Sequence, residues 1–250
     1  MSVLNTIPRM ISRRWILTTT LVIVAVAVCA RLGIWQLDRL AGRREFNSHI
    51  LAMRALPELD LNFSTDVDVA AQEYRRASAE GTYDFANQFA IRNQYHHNEF
   101  GYHLITPLRL PDGRAVLVDR GWVPAEGNDS PSGWSRYDVA GPLRVRGLIR
   151  LGTSESTFGG LADPTLSPNQ SRLDFWNFIN FERLPAQIPY PILDVYLQLD
   201  PTPADDEPPI PFQPEIELSE GPHMGYAIQW FSFAAMMLFG YPFYLRKQFA

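Results

Sequence analysis

Close to the C-terminal end, GPHMGYAIQWFSFA sets His223, Tyr226, Ala227 and Trp230 at i, i+3, i+4 and i+7, so a helix would carry imidazole, phenol and indole on one face. Close to the N-terminal end, Arg31, Trp35 and Arg39 recur every fourth residue, with Gln36 alongside. A porphyrin needs an axial imidazole, an aromatic slot and cations for its propionates, and these two faces hold all three. The same residues suit a plainer use. Tyr226 and Trp230 fit an interfacial aromatic belt, Trp35 a further anchor, and Arg31 and Arg39 cations whose stems run along apolar surface to the headgroups. Residue type alone leaves both readings open.

Other groupings carry less chemistry. HHNEFGYH brings His96, His97, Glu99 and His103 close in sequence, but a metal-binding face would need one unbroken strand through Gly101, and a polar hairpin end explains the cluster as well. Arg120, followed by Gly121 and Trp122, suits an anion or partner contact or simple strand packing. No Gly-x-Ser-x-Gly, phosphate loop or Gly-x-Gly-x-x-Gly occurs, so nothing points to a catalytic residue or to an enzyme, and a membrane-tethered hydrolase lacks its nucleophile and base. The single cysteine, Cys29, excludes an internal disulfide and a Cys-based copper or zinc site. With 22 Lys+Arg against 27 Asp+Glu and a net charge of -5, the chain offers no basic surface for nucleic acid.

Two apolar blocks must position these residues. Trp15 to Ala30 carries no charge and, continued through Leu37, can cross a hydrocarbon core of about 30 Å. Arg13 and Arg14 before it, and Val28-Cys29-Ala30 within it, also fit a cleaved signal peptide, although the block exceeds the usual signal core of about 7–15 residues. Met224 to Leu245 is likewise uncharged and ends at Arg246 and Lys247. Two spans would put both termini on one side. The basic pair makes that side the cytoplasm, whereas the first span, flanked by Arg9, Arg13 and Arg14 and by Arg39, Arg43 and Arg44, votes less clearly.

The pattern therefore predicts a membrane protein in which two transmembrane helices flank a mainly antiparallel β (α+β) extracytoplasmic domain. The segments are a cytoplasmic tail (1–14), a first span (15–37), a juxtamembrane helix (38–56), a β-rich domain (57–199), a Pro-rich acidic linker (200–222), a second span (223–245) and a cytoplasmic tail (246–250). Between 57 and 199, runs rich in branched and aromatic residues read as strands: 74–83, 89–95, 102–110, 115–123, 143–151, 175–181 and 193–199. Pro111-Asp112-Gly113 turns the third of these back on the fourth, and the set suggests an antiparallel sheet or open barrel. Residues 127–133 and 152–160 read as loops, and 200–214, with six prolines, as a stiff solvated connection.

Three stretches, GIWQLDR (33–39), GYHLITPLRLPDGRAVLVDRGWVP (101–124) and HMGYAIQWFSFA (223–234), resemble the surfeit locus protein 1 family of cytochrome c oxidase assembly factors. The chain departs from the family pattern at Pro222 and Asp119, where Asn is usual, and in the blurred FWNFINFE (175–182). The resemblance implies a two-span protein of the plasma or inner membrane that assists maturation of oxidase subunit I beside other assembly factors, with bacterial members binding haem a and passing it on. It places the haem-ligating histidine at His223. Tyr226, Trp230 and Trp35 would then line the slot, Arg31 and Arg39 would face the propionates, and Arg120 and Trp122 would serve partner binding, with no metal beyond the haem iron. The competing expectation is a haem-free scaffold that stabilises an oxidase assembly intermediate.

Overall fold

A computed structural model describes residues 10–154, 163–166, 170, 172–201 and 207–248. Its contacts divide into two units, Met1–His49 with Glu217–Ala250, and Ile50–Ile216. The first element, α1 (Ile16–Ala55), is one unbroken helix of 40 residues, about 60 Å long at 1.5 Å per residue. No proline interrupts it, and Pro57 follows just after its end. Its apolar stretch, of mean hydropathy 2.1, is only 11% buried, and α1 alone among the described helices is apolar enough to cross a membrane by length and composition.

Beyond α1 the described residues form eight strands: β1 (Leu59–Asp60), β2 (Arg76–Tyr83), β3 (Phe89–His96), β4 (Glu99–Arg109), β5 (Ala115–Pro124), β6 (Pro142–Arg150), β7 (Phe175–Trp176) and β8 (Ile192–Leu199). They are ordered β1-β2-β6-β8-β5-β4-β3-β7, and an extra pairing of Thr82 with Arg109 and Tyr83 with Leu108 joins β2 to β4. The strands β2, β6, β8, β5 and β4 therefore close a small barrel, while β3 and β7 extend it along β4. The expected hairpin is β4–β5, turned at Gly113 with φ +91°.

The sheet is mixed where an antiparallel one was expected. β5 and β8 pair in parallel, as do β1 with β2 and β3 with β7. A long excursion between β6 and β8 brings the chain back beside β5 in the same direction, which a hairpin cannot do. The strand expected over 175–181 is cut to two residues because Asp163 Oδ1 accepts the Asn177 and Phe178 N–H groups at 2.9 and 3.2 Å. Within the proline-rich connection, Ile210 and Gln213 are tied to the barrel rather than free, while Glu207, Phe212 and Pro214 stay exposed. Ile210 exchanges 2.8 Å backbone hydrogen bonds with Trp122, and the Gln213 amide donates to the Gln198 and Leu199 carbonyls at 2.9 and 3.0 Å. Asp205 and Asp206 of that connection, and 155–160 of the expected loop, lie outside the described residues.

Alternation along β5 explains the core. Val116 and Val118 join Ala77, Ala79, Val145, Val195 and Leu197 in one buried cluster, while Leu117 points the other way into a second with Phe89, Ile105, Trp176 and Leu184. Covered on both faces, β5 is buried from Ala115 to Val123.

The last element, α2 (His223–Gln248), belongs with α1. The helices run antiparallel. Thr19 Oγ1 meets the Tyr241 hydroxyl at 2.6 Å, Gly33 faces the Phe231 ring, and Arg44 makes a two-pronged ion pair with Glu220 at 2.8 and 2.9 Å, in that order along α1. A Cβ on Gly33 would stand 2.7 Å from that ring, so glycine permits the approach.

Candidate functional site

On α1 the buried positions Cys29, Gln36, Leu40 and Asn47, with Gly33 among them, form the seam that faces α2. Ala227, Ala234, Tyr241 and Leu245 form the matching seam of α2. Small residues let the backbones approach, and polar Gln36 then falls opposite His223. The His223 Nδ1 to Gln36 Oε1 distance is 2.8 Å. An amide oxygen only accepts, so this contact is made by an Nδ1–H, and in the neutral ring the lone pair then lies on Nε2. Histidines that bind metals are commonly held in this way, with the second nitrogen donating to an oxygen. About two and three turns further along α1, Arg43 donates to the Glu217 carbonyl at 3.0 Å and Asn47 Nδ2 to the Leu218 carbonyl at 2.6 Å, pinning the chain that leads into α2.

The other residues expected at this site are placed differently. Trp35 is 45% and Tyr226 49% exposed, Arg31 and Arg39 are exposed, and Trp230 is half-buried against Phe233. Gln36, not Arg31, Trp35 or Arg39, is the α1 residue brought against His223. The arginines make no ion pair or hydrogen bond among the described residues, whereas Arg43 and Arg44 are both engaged. In the sequence Gln36 stands merely beside the arginine face. Its signal is a polar residue in the Cys29, Gly33, Leu40 seam.

In the barrel domain, Arg120 and Trp122 are 5% and 4% exposed, so neither presents itself to a partner. Arg120 donates to Gln88 Oε1 at 3.0 Å and to the Tyr137 carbonyl, and its guanidinium lies 5.2 Å from the Tyr83 and Phe85 ring centres. Burial lowers its pKa, opposed by Tyr83 and Asp138. The His96–His97 cluster is a hairpin end: His97 and Asn98, with φ of 47° and 66°, form the two-residue turn between paired His96 and Glu99. Among the described residues no group of three or more His, Cys, Asp or Glu is arranged for a metal ion.

His103 is removed from that turn and buried. Two register shifts bracket it, one against β3 between Ile91 and Gln94 and one against β5 before Trp122, where Arg120 and Gly121 (φ +116°) together stand opposite Leu104. The shifts leave His103 Nδ1 3.0 Å from Asp119 Oδ2. Burial alone would push the imidazole pKa down, but the charge and hydrogen bond of Asp119 outweigh it, and the net direction is upward. A histidine raised on folding stabilises the fold fully below its unfolded pKa of about 6.5, and loses that contribution as pH rises through the folded value. In thermal melts, the advantage of wild type over His103→Gln is therefore expected to be greatest below about pH 6.5 and to shrink towards pH 9; an advantage that grows with pH would contradict the pairing.

A long apolar N-terminal helix, a second helix whose first residue is an oriented imidazole, and a small mixed β-barrel define the class of protein. The SURF1 family model matches residues 23–235, and the chain belongs to the SURF1 family. It is 27% identical over 231 residues to a SURF1-like protein of Monosiga brevicollis, covering 86% of this chain and 83% of the relative. It is 24% identical over 267 residues to Surfeit locus protein 1 of Arabidopsis thaliana, covering 85% and 73%. A SURF1-like protein of Rickettsia felis is 25% identical over 107 residues, covering 42% and 46%.

Proposed function

We propose that this protein is a membrane-integral assembly factor for cytochrome c oxidase that binds haem a at His223 as cargo and assists its insertion into subunit I, and that it is not an enzyme. Membership of the SURF1 family supports the oxidase role. The observation that carries the haem reading is the Gln36–His223 contact, which orients an imidazole with Nε2 uncommitted. When haem is bound, its iron would take that nitrogen as an axial ligand. Tyr226, Trp230 and Trp35 supply exposed aromatic surface for the ring, and Arg31 and Arg39 are uncommitted cations for the propionates.

The exposed surfaces of both helices support a reading with two membrane spans. Leu17, Leu21, Ile23, Val24 and Val28 on α1 are at least half exposed, as are Ile228, Met236, Leu238, Phe239 and Phe243 on α2. Burying each such side chain is worth about 1.5–3 kcal/mol, which lipid supplies and water does not. Tyr, Trp, Gln and Gly lower the hydropathy of α2 without adding charge. Arg246 and Lys247 at its end support an orientation with both termini in the cytoplasm of a plasma or inner membrane and the barrel domain outside. Full-length chain purified from a host that makes haem a is expected to carry a Soret band. Colourless protein from that host would overturn the haem reading and leave a haem-free scaffold.

A further inference from the structure

The end of the helix pair away from His223 carries charge of one sign only. Arg13 and Arg14 precede α1, Arg246 and Lys247 lie in the last turn of α2, and all four are exposed. No Asp or Glu occurs in residues 1–37 or 221–250. The first carboxylates met along the two helices, Asp38 on α1 and Glu220 just before α2, stand about 33 Å of helix away at 1.5 Å per residue. Screening at physiological salt acts over about 8 Å, so neither offsets these cations. Among the described residues the four charged groups make no hydrogen bond or ion pair. The opposite end differs, because Arg39 and Arg43 there have Asp38 and Glu45 close in sequence and Arg44 is paired with Glu220.

The fold gathers these cations instead of letting them trail. The Ser12 carbonyl accepts the Trp15 and Ile16 N–H groups at 2.9 Å each, and Thr19 Oγ1, already against the Tyr241 hydroxyl, donates to the Met10 carbonyl at 2.9 Å. The turn that bears Arg13 and Arg14 is thereby folded onto the helix pair. Trp15 and Tyr244 meet edge-on with ring centres 6.3 Å apart, which brings the basic residues of both helices to one place, and the Arg14 guanidinium lies 5.7 Å from the Trp15 ring centre. Next along each helix, Leu17 and Phe243 are 71% and 70% exposed. The surface therefore runs from cationic to aromatic to apolar. A free phosphate or an acidic peptide would engage only the first layer, whereas a phospholipid engages all three, its acyl chains lying on Leu17 and Phe243. Four Lys and Arg residues beside a membrane span attract anionic headgroups. We propose that this end of the helix pair selects acidic phospholipid, the cations of both helices taking a phosphodiester charge that no choline offsets. The inference rests on the two-span reading and is independent of haem.

The test places purified full-length protein in nanodiscs of equimolar phosphatidylglycerol and phosphatidylcholine with matched acyl chains, with a trace of one lipid or the other spin-labelled on its chain. The fraction immobilised by the protein, read by electron paramagnetic resonance, is expected to favour phosphatidylglycerol by about threefold or more, and the preference to fall as salt is raised. The combined variant Arg13→Gln, Arg14→Gln, Arg246→Gln and Lys247→Gln should bring the two lipids to parity. Arg13→Lys, Arg14→Lys and Arg246→Lys together, which keep every charge, should retain the preference. A chain that stays out of the disc overturns the two-span reading and this inference with it. A chain that enters but shows parity, or whose glutamine variant keeps the preference, overturns this inference alone.

Discussion

Arg120→Ala is expected to lower the stability of the barrel domain by about 3 kcal/mol, and its melting temperature by roughly 6–12 °C. Two effects oppose each other. Removing a desolvated cation is favourable, and the downward shift of the Arg120 pKa records that cost. Against this, alanine leaves the Tyr137 carbonyl without its donor, takes one of two partners from Gln88 Oε1, and opens a void beside the Tyr83 and Phe85 rings. A lost partner for a buried polar group costs about 1–3 kcal/mol, and the void adds to it, so the loss wins. Arg120→Met restores volume and is expected to recover part of the deficit. A melting temperature within about 2 °C of wild type for Arg120→Ala, the scale of surface substitutions, would show that the guanidinium is not holding this end of the barrel.

Gln36→Leu is expected to leave the helix pair folded and to reduce haem retention about 10–100-fold, the usual cost of losing the partner that orients a metal-binding histidine. Gln36 is a positioning residue that acts through the Nδ1 atom of His223. Leucine is a good helix former in an apolar setting, so a purely structural role predicts little change in melting and none in the spectrum of whatever haem remains. The positioning role predicts a shifted Soret maximum as well, because ligand basicity changes when the Nδ1 proton loses its acceptor. Gln36→Glu, which keeps an acceptor at that reach, is expected to restore retention.

Much of this is legible in the amino-acid sequence. Residues 111–113 fix the β4–β5 hairpin locally, because proline presets one dihedral and Gly113 takes the positive φ. The parallel pairing of β5 with β8 was not legible, since alternation says which face a residue occupies and nothing about which distant strand lies beside it. Closure of the barrel rests on two residue pairs between β2 and β4, too short a contact to leave a pattern. Residues 200–214 read as solvated from their prolines, yet a proline-rich segment still offers carbonyls, and the Gln198 amide uses that of Phe212. At the helix pair, Arg31, Trp35 and Arg39 stood out as charged and aromatic residues, whereas the seam is built from Cys29, Gly33, Gln36 and Leu40. Residue type attracts attention to the exposed face, and helical spacing identifies the buried one. His103 was hidden for a different reason. Its sequence neighbours suggest a histidine cluster, and only the register shifts on both sides turn it inward to Asp119.

The central claim is that His223 Nε2 is the atom that takes haem iron, and one comparison tests it directly. Full-length wild type and His223→Ala are purified side by side from the same haem a-producing host, and the Soret absorbance per mole of protein is measured. The account predicts a band in wild type that is lost in the variant, with the two proteins melting alike. A band of equal height and position in His223→Ala would contradict it.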